Sequence, residues 1–169
     1  MTTQPTDQLG TQITAAPGTQ EVVISRVLNA PREIVFRAYT DPVLLARWLG
    51  PREYELIVER FEPWSGGSYR YFNVDANGNR YAFSGVCHDV SAPERIIQTF
   101  EFEGLPERGH VSLDTALFEA LPDGRTRVTT KSVFQSVADR DAMIASGMEW
   151  GVRESYERLS ELLPELLAQ

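Results

Sequence analysis

A single cysteine, Cys87, in 169 residues excludes an internal disulfide. Two histidines, His88 and His110, are too few for a histidine-rich metal centre, and no Cys-x-x-Cys pair accompanies them. Of the sixteen basic residues only Lys131 is a lysine, which we read as coding bias without functional content. Positive charge is in deficit, with a formal net charge of -8. An acidic chain repels a phosphate backbone, so nucleic acid is not an expected partner. No stretch approaches the ~20 apolar residues of a membrane span. Nor does the N-terminus carry the basic and apolar regions of a secretory signal. The expectation is a cytoplasmic protein with no membrane partner.

What is present suits a folded domain. The chain is 42% hydrophobic and 24% charged, near the globular average, and its length fits one domain. Residues 1–19 are mostly Thr, Gln, Pro and Gly, with too little apolar surface to offset ordering entropy. They are expected to form a disordered tail, followed by a single domain over 20–169. Glu21 to Leu28 is rich in β-branched residues and reads as a strand. Pro31 and Asp41-Pro42 open two short helices, the second carrying Leu44, Leu45 and Trp48 at helical spacing. Six strands follow, over 54–62, 68–74, 80–90, 95–103, 110–121 and 125–134, separated by Gly, Pro and Asn-Gly turn signals. A long helix is expected from about Val137 to Leu163, stopped by Pro164. This order predicts an α+β fold.

Asn77-Gly78 reads as a two-residue hairpin turn. Paired residue numbers then sum to 155, placing Phe72 opposite Phe83 and Arg70 opposite Gly85. A tight turn at Ala92-Pro93 sets Phe83 against Phe102 and Gly85 against Phe100. One sheet face therefore collects Phe72, Phe83, Gly85, Phe100 and Phe102, with Arg70 and Gln98. The other carries Tyr69, Tyr71, Ser84 and Glu101. The phenylalanine face must point inward, as core or as cavity lining. On the long helix Gly147 and Gly151 fall on one stripe with Ser155, beside Met148 and Val152, so something must approach that face closely.

The segments Ala30-Pro-Arg-Glu-Ile-Val-Phe-Arg-Ala38, Asp41-Pro-Val-Leu-Leu-Ala-Arg-Trp48, Gly66-Gly67, Pro93-Glu94 and Gly147-Met-Glu-Trp-Gly151 resemble the activator of Hsp-90 ATPase homologue family. That family belongs to the START-like, or SRPBCC, superfamily, and the resemblance covers roughly residues 22 to 164. It implies a helix-grip fold, with a curved antiparallel sheet wrapped around a long C-terminal helix and enclosing an apolar cavity. It also implies that the helix ending at Trp48 closes one mouth of that cavity. The co-chaperones that name the family carry a separate N-terminal domain. Here a 19-residue tail precedes the match, so chaperone activation is not the leading expectation.

Catalytic signals are weak. No Gly-x-Ser-x-Gly elbow accompanies His88 or His110, and Gly66-Gly67 is followed by no phosphate-loop lysine. The expected function is non-covalent binding of a small, mostly apolar molecule, with no cofactor and no metal. Its expected site comprises Trp48, Arg70, Phe72, Phe83, Gly85, Gln98, Phe100 and Phe102, with Gly147, Met148, Gly151 and Val152 from the helix. The alternatives are a module binding a chaperone, another protein or a second copy, with a role in stress response, or a weak cyclase-like enzyme using cavity polar groups.

Overall fold

The computed structural model describes residues 10–169. Eight strands form one antiparallel sheet: β1 (Gln12–Thr14), β2 (Glu21–Leu28), β3 (Glu55–Phe61), β4 (Ser68–Val74), β5 (Arg80–Ser91), β6 (Arg95–Phe102), β7 (Val111–Ala120) and β8 (Thr126–Val133). Their spatial order is β1-β2-β8-β7-β6-β5-β4-β3, so β2 pairs late, with β8. The helices are α1 (Arg32–Thr40), α2 (Pro42–Trp48), α3 (Val137–Ala145) and α4 (Met148–Leu167). The expected α+β helix-grip architecture, a curved sheet around a long C-terminal helix, is the fold observed.

Local chemistry explains the punctuation. Asp41 caps α2, its carboxylate accepting from the Val43 and Leu44 amides, with Pro42 at the first helical position. Leu159, Leu162, Leu163 and Leu166 of α4 bury against α1, α2 and the sheet, with Val22, Leu28, Val35 and Val128 fully inside. Trp48 is buried in this core. Its indole N–H donates to the Ala38 carbonyl at 2.9 Å, and its ring lies 4.7 Å from that of Tyr39.

Three expectations are corrected. The long helix is two helices. Ser136 caps α3 through the Asp139 amide, and Gly147 at φ +88° ends that run and caps α4. Pro164 does not stop α4 but lies inside its last turn, exposed, while Leu162, Leu163 and Leu166 hold the helix down.

The N-terminal segment is ordered wherever it is described: β1 pairs with β2, and the segment supplies acceptors to three arginines. The Thr11 hydroxyl accepts from Arg26 and the Thr11 carbonyl from Arg153, while the Ala16 carbonyl accepts from the buried Arg140 at 2.6 Å. The part of the expected tail before Gly10 lies outside the described residues.

The third correction concerns the hairpin between β4 and β5. Its paired residues sum to 154, with Tyr71 opposite Phe83 and Tyr69 opposite Gly85. Asp75 sets this register. Its side chain accepts from the Asn77 and Asn79 amides, the Asp75 amide bonds the Asn79 carbonyl, and Gly78 takes φ +82°. The loop therefore holds three residues with a left-handed glycine. One residue of shift turns every β4 side chain over.

Candidate functional site

With β4 in its true register, Tyr69 and Tyr71 join Phe83, Phe100 and Phe102 on the inner face of the sheet. Their rings form a continuous run across three strands. Tyr69 and Tyr71 lie 6.0 Å apart, Tyr71 and Phe83 5.4 Å, Phe83 and Phe100 5.5 Å, and Phe83 and Phe102 5.1 Å. The two tyrosines are buried, whereas the three phenylalanines keep accessible surface. From the helical side Met143, Met148 and Val152 pack partly buried against the same core.

Arg70 and Phe72 are on the outer face, and their expected place in the site is corrected for the register reason just given. Phe72 lies between two guanidinium groups, with Arg70 at 4.6 Å and Arg80 at 4.7 Å from its ring centre. Arg70 also grips Glu103 with two bonds, at 2.9 and 3.0 Å, and reaches Glu59 at 2.9 Å. Arg70 holds the Glu103 carboxyl down to a pKa of about 2. Beside them Arg108 pairs with Glu101 at 3.0 Å. Arg70, Glu101, Glu103 and Arg108 line an open groove of about 520 Å³ on the outer surface. Its charges already satisfy one another, which suits a solvated face better than an apolar ligand.

Gly85, expected in the site, offers no open space. A side chain there would overlap the Thr99 carbonyl and lie 2.5 Å from the Tyr69 hydroxyl. Tyr69 crosses over the glycine and donates to the Thr99 carbonyl at 2.5 Å, so the space is already filled. Trp48 is spoken for by Ala38 and Tyr39. Gly147 is a cap with open space around it, and Gly151 faces the Pro51 ring at 3.7 Å. Neither glycine lies above the aromatic run. Of the expected site residues, Phe83, Gln98, Phe100 and Phe102 share the inner face of β5 and β6, while Met148 and Val152 are partly buried against the core.

Sequence reasoning missed Asp114. It lies on β7, paired with Gln98 of β6 and Ser132 of β8, and Gln98 in turn pairs with Cys87 of β5. Ser132, Asp114, Gln98 and Cys87 thus form a polar row across the inner face, next to the row holding Phe100 and Gly85. The Ser112 hydroxyl donates to the Asp114 carboxyl at 3.0 Å, and Ser132 bonds it from the other side. Burial pushes the Asp114 carboxyl above the usual carboxylate range, against those two bonds. Burial likewise raises Tyr69, Tyr71 and the Cys87 thiol, so Cys87 is a poor nucleophile. The signal that could have found Asp114 is alternation: Ser112, Asp114, Ala116 and Phe118 share the inward face.

Histidine chemistry gathers elsewhere. His88 is exposed, and His110 Nδ1 lies 3.1 Å from Asp139 at the start of α3. Among the described residues no cluster of three or more His, Cys, Asp or Glu side chains could hold a metal ion. No described helix is long and apolar enough to cross a membrane.

The family model described as activator of Hsp90 ATPase homolog 1-like protein matches residues 29–164. A crystal structure from Rhodobacter sphaeroides is similar with a TM-score of 0.83 at 25% identity, covering 92% of this chain and 99% of that one. A solution structure from Arthrobacter aurescens gives 0.82 at 25% identity, with 91% of each chain covered. A crystal structure from Chromobacterium violaceum gives 0.75 at 27% identity, covering 85% of this chain and 96% of that one. Among curated proteins no match is found.

Proposed function

The chain belongs to the family of activator of Hsp90 ATPase homolog 1-like proteins, and from that premise we propose that it binds a small, mostly apolar molecule between the inner sheet face and α4. One observation carries this: Phe83, Phe100 and Phe102, on the inner face of strands flanked on both sides, keep accessible surface. A helix packed tightly over that face would leave them dry. Met143, Met148 and Val152, partly buried against the same core, are the apolar side chains that this reading assigns to the opposite wall. Apolar walls with a few polar groups are the ordinary make-up of small-molecule sites. Binding needs no covalent step, and the raised Cys87 thiol offers none.

Methionine is scarce enough to make the test direct, since the chain has three. With 13C-methyl methionine, titration with 1-naphthalenemethanol should move the Met143 and Met148 signals in a saturable way. Native mass spectrometry of protein purified from its own host should show a bound small molecule. Methyl signals unmoved up to millimolar probe would sink the site and favour a protein-contact role.

A further inference from the structure

We propose that the molecule taken by this inner face is a small amphipathic amine, whose ammonium group pairs with Asp114 and whose apolar part lies on the rings of β5 and β6. The inference rests on the apolar-site reading above and names its ligand class.

The geometry around Asp114 is one-sided. β7 has two or more strands on either flank, so its inward carboxyl can be reached only from the inner face of the sheet. Its bonding partners are neutral, the hydroxyls of Ser112 and Ser132. Among the described residues no arginine or lysine forms an ion pair with it.

The cations on the inner side are held elsewhere. Arg26 bonds Thr11 and Ser160, Arg140 bonds Ala16 and Thr19, and Arg153 bonds Glu149 and Thr11. By strand geometry Arg26 stands two side-chain rows and two strands from Asp114, roughly 16 Å away. A half-buried carboxyl facing a core without a counter-charge favours a proton or a cation from outside. Desolvation raises the proton affinity of Asp114, and no cation stands beside it to offset that cost.

The neighbours select among cations. Gln98, beside Asp114, keeps accessible surface and offers an amide for a second hydrogen bond. The next row presents the Phe100 ring, stacked on Phe83. Aromatic faces attract an ammonium and accept its hydrocarbon alike. A fatty acid or other anion would meet the Asp114 carboxylate and lose.

The test compares three probes of one shape: 1-naphthylmethylamine, 1-naphthalenemethanol and 1-naphthoic acid, titrated calorimetrically into the full chain. The amine should bind at least about tenfold more tightly than the alcohol, and the acid more weakly than either. In Asp114→Asn the amine and alcohol should become equal within about threefold. Equal affinities in the wild type, or a preference that survives Asp114→Asn, would overturn the proposal while leaving the apolar site standing. Failure of all three probes to bind would remove the site and this proposal together. Should the variant not fold, the wild-type ranking of the three probes decides.

Discussion

Asp75 and Asp114 show how single carboxylates divide what the sequence displays from what it hides. Asn77-Gly78 is visible as a turn, but its length depends on Asp75, whose side chain gathers two amides into a larger loop. The motif is local, whereas its consequence, the face of all of β4, is not. Asp114 is plain in the alternation of β7, yet an acidic residue on an inward position contradicts the usual apolar pattern. His110 carries a titration prediction. The Asp139 hydrogen bond, chiefly, raises its pKa above the ordinary 6.5. A raised folded value means the stabilisation is fully present below about pH 6.5 and is lost as pH climbs through the folded value. Proton NMR of the His110 ring should therefore titrate above 6.5, and Asp139→Asn should return it towards that value. A wild-type midpoint at or below 6.5 would show the pair is not formed in solution.

At the scale of elements, the limits of every strand but β1 were legible to within a residue or two, because Gly, Pro and Asx turn chemistry separates them. The C-terminal helix was less so. Gly147 and Gly151 look alike in sequence, spaced four apart, but one takes φ +88° and ends a helix while the other sits inside the next. Backbone conformation separates them, and spacing cannot. The Gly151 face meets the Gly50-Pro51 connection, where Ser155 accepts from the Gly50 amide at 2.8 Å and donates to the Gly151 carbonyl at 2.7 Å. A methyl group at Gly151 would touch Pro51 at 3.7 Å, an ordinary contact. Gly151→Ala should thus stabilise by about 0.5–1 kcal/mol through helix propensity. The thermal midpoint should rise by roughly 1–4 °C for a chain of this size. A fall in the midpoint would mean that the helix and the Pro51 connection approach more closely than described.

For the molecule as a whole, the largest departure from expectation is the N-terminal segment, and its cause is charge. Composition predicts disorder there because the segment has little to bury. Its value lies instead in backbone and hydroxyl oxygens that satisfy arginines drawn from β2, α3 and α4. Arg140 is 4% exposed and depends on the Ala16 carbonyl and the Thr19 hydroxyl. Its partner Asp141 stays in solvent. Such long-range pairing has no local signature, so no reading of residues 10–19 alone could find it. Compare, then, a chain beginning at Gly10 with one beginning at Gln20. The shorter chain loses β1 and leaves a buried guanidinium short of acceptors, at about 1–3 kcal/mol for the unsatisfied group alone. Its midpoint should fall by roughly 5–10 °C. Arg140→Met should recover part of that loss in the shorter chain while destabilising the longer one, because only the longer chain supplies the oxygens. Midpoints equal within 1 °C would show that β1 docks without contributing stability, and that Arg140 finds its acceptors in water.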